Sequence, residues 1–407
     1  VETREKILNY VKERWEQTIR RAPEDKDTLI GLPHPYIVPC MKKNLQELYY
    51  WDTYFACKGL VGQGFAHVAR SCADNFIYLV NRYGFVPNGN RTYYLNRSQP
   101  PYLCSLVKLV FEAEGDKNWL LTAHSALEKE YSFWMTKRIT PIGLNSYGHH
   151  ATEEELLRFQ DCLKKRIGSK AANREEQLRQ SAHMLAEAES GWDFTPRFNN
   201  QCLNYAPADL NAILYQFETN MADFSRILGR DDAAVWTARA ERRQSLMNQY
   251  CWNENRQLFQ SWDFVAQAHA KFLSAESFSP LWAGVASPEQ AQACLPGLAA
   301  LEFDFGIATC EKTEIHGIRQ WAYPNGWPPL QCIAFEGWQR YGFVQEARRI
   351  AQKYVEVVVR CFEQTGDLWE KYNVVDGNVK VSDEYPMPVM MGWSAGVFVE
   401  ACALLAD

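Results

Sequence analysis

"SLVKLVFEAEGDKNWLLTAHSALEKEYSFWM", residues 105–135, repeats apolar residues at three- and four-residue spacing. That is the period of an amphipathic helix, and it sets the fold class. The period returns in "REKILNYVKERWEQTI" (4–19), "DLNAILYQFETNMADFSRIL" (209–228), "AAVWTARAERRQSLMNQYCW" (233–252) and "FVQEARRIAQKYVEVVVRCFEQTG" (343–366), whereas few stretches alternate as strands do. Between these segments lie loops rich in Gly, Pro, Asn and aromatic residues, which hold the unusual chemistry. An all-α barrel or toroid of paired helices, with long loops converging at one end, fits this alternation. Residues 152–189, "TEEELLRFQDCLKKRIGSKAANREEQLRQSAHMLAEAE", are polar and predict a helical excursion on the surface. Without a linker or low-complexity break, residues 1–407 read as one domain.

Composition narrows the partners. A chain of 407 residues, 47% hydrophobic, can bury a large core. Its 49 acids and 43 bases are spread along the whole length with no basic stripe, which argues against nucleic acid. Aromatic residues reach 14%, including 14 Trp and 20 Tyr, an excess that suits stacking on sugar rings as well as filling a core. The 12 cysteines are scattered, with no CxxC pair and no Cys/His cluster at ligand spacing, so neither a metal nor an organic cofactor is expected. No apolar run is long enough for a membrane span. The compartment stays open: the scattered cysteines lean towards cytoplasm, and a start at Val1 rather than Met leans towards export. Oligomeric state is not readable.

The candidate site residues come from the loops. In "AEAESGWDFTPRFNN" (186–200), Asp193 stands between Trp192 and Phe194, four residues before Arg197. A carboxyl against aromatic rings can hold its proton and serve as a general acid. Alternatively, Asp193 caps a helix starting near Thr195, and Arg197 either orients a substrate or pairs with a surface carboxylate. Glycoside hydrolysis needs a second carboxylate, for which Glu370 in "LWEKYNV" and Glu384 in "DEYP" are the candidates. Lys371 would keep Glu370 ionised, as a water-activating base requires. In "YYWDTYF" (49–55), Trp51 and Asp52 could meet vicinal sugar hydroxyls, or Asp52 could cap the following helix. "PNGNRTYYLNRSQPP" (87–101) offers Asn88, Asn90, Arg97 and Gln99, and "RQWAYPNGWPPLQ" (319–331) offers Gln320 and Trp321.

Taken in order, "PHPYIVP", "ELYYWDTYF", "PNGNRTYYLNRSQPP", "ESGWDFTPRF", "RQWAYPNGWPPLQ", "EKYNV" and "EYP" followed by "GWSAGV" resemble the trehalases, inverting hydrolases of α,α-trehalose with an (α/α)6 barrel. The resemblance implies that Asp193 is the general acid and Glu370 the general base. It also implies that Glu384 belongs to a mobile loop closing over the sugar, and that Trp51, Asp52, Asn88, Arg97, Gln99 and Trp321 contact it. The expected substrate is trehalose or a related short α-glucoside.

Several positions depart from the family pattern. Asn44, in "PCMKKNL", stands where a substrate-binding arginine is expected. "GLNSYGHHAT" (143–152) replaces "PRPES", which carries an arginine and a glutamate to the leaving sugar. Ala322 replaces the aspartate of "QWD", and "DGNVKVSD" (376–383) replaces a glycine-rich lid. These departures predict an altered leaving-group side, with Tyr147, His149 or His150 as possible substitutes. Two other readings are open: a non-catalytic sugar-binding relative, and an (α/α)6 sugar epimerase shuttling protons on His149, His150 or His316.

Overall fold

A computed structural model describes residues 2–314, 317–381 and 383–406, which places His316 outside the described residues. The chain is mostly helical. Its helices are α1 (Glu2–Arg14), α2 (Tyr50–Gly62), α3 (Ala66–Tyr83), α4 (Leu103–Glu114) and α5 (Lys117–Lys137). Next come α6 (Glu153–Ile167), α7 (Arg174–Glu189), α8 (Ala208–Ile227), α9 (Ala233–Tyr250) and α10 (Ser279–Ala283). The last four are α11 (Pro288–Leu298), α12 (Pro328–Arg340), α13 (Val344–Thr365) and α14 (Gly392–Ala406).

Six of them close a ring: α2 packs on α4, α4 on α8, α8 on α10, α10 on α12, α12 on α14, and α14 on α2. The ring helices are buried on nearly every side; in α14 the whole run Gly392–Val399 is buried. A helix apolar all round belongs in a core. The outer layer is amphipathic. In α13, Ala347, Ile350, Ala351, Tyr354, Val358, Cys361 and Phe362 are buried at three- and four-residue spacing, and this face covers α12 and α14. The closing contact between α2 and α14 is backbone against backbone: a Cβ on Gly396 would lie 2.0 Å from the Phe55 carbonyl oxygen, so only glycine fits.

Residues 105–135 form two helices rather than one. Gly115, at φ 70°, ends α4, and the Asp116 carboxylate caps α5 by accepting from the Asn118 and Trp119 N–H groups. The excursion at 152–189 is the hairpin of α6 and α7, opened by a Thr152–Glu155 capping box. It is only partly a surface feature. Leu163, Ile167, Met184 and Ala188 pack under it against Phe194, which anchors its base at the mouth of the barrel.

Two-residue ladders staple the loops together. Asn325–Gly326 pairs antiparallel with Tyr372–Asn373, and Tyr49 bridges to Gly89. These staples join the loop segments that carry the candidate residues.

Candidate active site

The loops leading into α2, α4, α8, α12 and α14, together with the end of α6, surround a cavity of about 370 Å³. That lies within the size range of small-molecule sites, roughly 300–1,000 Å³. Trp51, Asp52, Asn88, Arg97, Gln99, Asp193, Trp321 and Glu370 all line it. Asn44, Tyr49, Tyr94, Arg166, Trp327, Tyr385 and Trp393 complete much of the wall.

The wall has a tryptophan backing. Trp321 stacks on Trp327 at 3.8 Å and on Trp192 at 5.5 Å, and Trp51 meets Trp321 and Trp393 at 5.7 Å each. Gly191 makes this packing possible, because at φ +76° its missing Cβ would lie 2.7 Å from the Trp51 ring. Trp192 and Arg197 are not on the wall. Arg197 is buried, paired with Glu276 at 2.8 Å and Asp209 at 3.1 Å, and its guanidinium stacks 3.9 Å over Trp192. It braces Trp192, which braces Trp321.

Asp193 begins no helix, because the next α-helix starts at Ala208; the capping alternative is set aside. Its peptide bond to Phe194 is cis. The carboxylate is partly open, 31% exposed, and pairs with Arg166 at 2.9 Å. Its backbone carbonyl accepts from Arg166 and from the Gln320 amide, each at 2.9 Å.

Glu370 is almost wholly buried. Its Oε2 accepts from Lys371 Nζ and its Oε1 from the Tyr385 hydroxyl, both at 2.8 Å. Lys371, itself fully buried, also pairs with Asp383 at 2.7 Å. Burial and the negative charges of Glu370 and Asp193 hold the Tyr385 hydroxyl well above the usual phenol range, so it stays a donor.

Asp52, in the first turn of α2, also lacks a capping role, since the N-cap is Tyr49. Its carboxyl is pushed up to about 8, chiefly by burial and further by Glu370 and Asp193. Asn88 accepts from Arg97 Nε at 3.1 Å, and Gln99 accepts from the Trp51 N–H at 3.2 Å.

Glu384 lies behind the wall, its carboxylate fully covered. It accepts from the backbone N–H groups of Phe194 (3.0 Å) and Gln320 (3.2 Å) and from Arg166 Nε (2.9 Å). Burial raises it to about 7 against the opposing pull of Arg166. It therefore pins its own segment to the Asp193 and Trp321 loops. Gln320 is also buried behind the wall.

Among the described residues no histidine lines the cavity. His150 bonds the Leu95 carbonyl, Tyr147 bonds Asp209, and neither they nor His149 reach the wall. Ala322 is likewise off the wall. Away from the cavity, His124, Glu128 and Asp232 bring ligand atoms within 4.8 Å of one another, but Arg230, 2.9 Å from Asp232, already supplies the positive charge.

A closed ring of six helices whose loop end holds an acid- and tryptophan-lined cavity defines an (α/α)6 glycoside hydrolase. The trehalase family profile matches residues 2–405, and the chain belongs to the trehalase family. It is similar to the neutral trehalase of Saccharomyces cerevisiae, with 28% identity and a TM-score of 0.79 over 98% of this chain and 80% of that one. The mannosylglycerate hydrolase of Thermus thermophilus, solved with glucose, shares the fold at 17% identity and a TM-score of 0.68 over 98% of this chain and 99% of that one. The chain is thus a trehalase-like glycoside hydrolase acting on a sugar. No helix among the described residues is long and apolar enough to cross a membrane.

Proposed function

We propose that this chain hydrolyses trehalose or a related short α-glucoside with inversion, with Asp193 as general acid and Glu370 as general base. One observation carries this reading: the two carboxyl groups line the same cavity in different settings. Glu370 is buried and held by the Lys371 ammonium and the Tyr385 hydroxyl, as suits a base fixed in one orientation towards a water. Asp193 is open to the cavity, as suits a group that must gain and give a proton. Asp193 donates its proton to the glycosidic oxygen as the C1–O bond breaks. Glu370 takes a proton from the water whose oxygen attacks C1 from the opposite face, leaving β-glucose and the leaving-group alcohol.

Trp51, Asp52, Asn88, Arg97, Gln99 and Trp321 would hold the glucose. With its carboxyl raised to about 8, Asp52 would meet a sugar hydroxyl in its neutral form, able to donate as well as accept. Trp192, Arg197, Gln320 and Glu384 act from behind the wall as supports. The reading also takes the chain as one domain, because the ring closes α2 against α14 from opposite ends of the sequence.

The test is glucose release from trehalose and a panel of α-glucosides with varied leaving groups. Because Asn44, on the cavity wall, lacks the charge expected there, at least one panel member should exceed trehalose in kcat/KM. Asp193→Asn and Glu370→Gln should each lower kcat by about 10²–10⁴. A wild type that binds glucosides yet releases no glucose would instead support a non-catalytic sugar binder.

A further inference from the structure

The hairpin of α6 and α7 delivers one charged group to the cavity, Arg166 in the last turn of α6. Its Nη2 lies 2.9 Å from Oδ2 of Asp193 and donates to the Asp193 carbonyl at the same distance. Its Nε donates to Oε2 of Glu384 at 2.9 Å, and the guanidinium stacks over Phe194 at 4.8 Å and Tyr385 at 5.5 Å. Among the described residues only Nε and Nη2 are engaged by oxygen acceptors, so Nη1 remains able to donate to an oxygen of a bound molecule.

We infer that Arg166 is the specificity-determining residue on the leaving-group side, and that it positions Asp193. The inference rests on the assignment of Asp193 as general acid. A general acid works within hydrogen-bond reach of the oxygen it protonates. A guanidinium one hydrogen bond from Asp193 therefore lies beside the glycosidic oxygen. No ion pair joins Arg166 to Asp52 or Glu370 among the described residues, which sets it apart from the groups facing the glucose and the attacking water. Tyr147, His149 and His150, the sequence-based alternatives for this side, do not reach the wall.

A leaving group rich in hydroxyl or carboxylate oxygens offers Nη1 of Arg166 an acceptor, whereas a leaving group without such oxygens does not.

The test compares wild type, Arg166→Gln and Arg166→Lys on two substrates: the disaccharide that the wild type cleaves best, and α-glucosyl fluoride, whose small leaving group offers Arg166 little to hold. Arg166→Gln should lower kcat/KM for the disaccharide by roughly ten- to a hundredfold, the weight of one charge-assisted hydrogen bond, while the fluoride changes by less than about threefold. Arg166→Lys, which keeps the charge but not the fork, should recover part of the loss. Melting curves report whether each variant has folded. Equal losses on both substrates in folded variants would overturn the inference and make Arg166 a structural clasp. A wild type that cleaves neither α-glucosyl fluoride nor any disaccharide tried would instead overturn the underlying reading of Asp193 as general acid, and this inference with it.

Discussion

The ammonium of Lys371 lies 2.8 Å from Oε2 of Glu370, and the two side chains are 0% and 3% exposed. A buried ion pair broken on one side leaves an uncompensated charge, at a cost of about 3–5 kcal/mol. Lys371→Met should therefore lower unfolding stability by about that amount in urea titrations. Because the ammonium also fixes the carboxylate proposed as the base, kcat should fall by about a hundredfold or more. Wild-type activity in a folded Lys371→Met variant would show that Glu370 needs no such partner.

Asp52 links stability to pH. Its carboxyl rises from 3.8 to about 8 on folding, so across that window the native chain holds a proton that the unfolded chain has released. Its contribution to stability is therefore present below about 4 and is lost as pH rises through about 8. Asp52→Asn removes the titration. The stability of this variant relative to wild type should grow as pH rises from about 4 to 8, by up to about 1.4 kcal/mol per pH unit. A pH-independent difference between the two melting profiles would refute the assignment.

Gly191→Ala should damage the site without touching a carboxylate. The left-handed φ alone costs an alanine roughly 1–2 kcal/mol, and the new methyl would meet the Trp51 ring at 2.7 Å. The variant should melt lower and show a raised KM, with kcat less affected because Asp193 and Glu370 stay in place. Unchanged KM would show that Trp51 does not contact the sugar.

The outer helices were legible because water imposes a period on them: α13 presents one apolar face, and the sequence shows it. The ring helices α2, α12 and α14 left no such trace. Buried on nearly all sides, they have no polar face to mark a period, and their first turns read as extensions of the loops before them. The cavity residues were legible because Trp, Asn, Gln and acids clustered in loops are hard to explain otherwise. Arg166 was not, since in "CLKKRIG" it is one of three consecutive cations on a polar helix. Only the turn at Gly168 and the buried base of the hairpin distinguish it from Lys164 and Lys165. Arg197 and Glu384 were noticed, but their placement behind the wall depends on Asp209, Glu276 and Gln320, partners distant in sequence.

The central claim is that Asp193 and Glu370 act from opposite faces of one glucosyl carbon. It is tested most directly by following the first seconds of hydrolysis of the best α-glucoside by proton NMR, before mutarotation mixes the anomers. The account predicts that β-glucose appears first. Initial release of α-glucose would contradict it, requiring a covalent or same-face mechanism that this assignment of the two carboxylates does not provide.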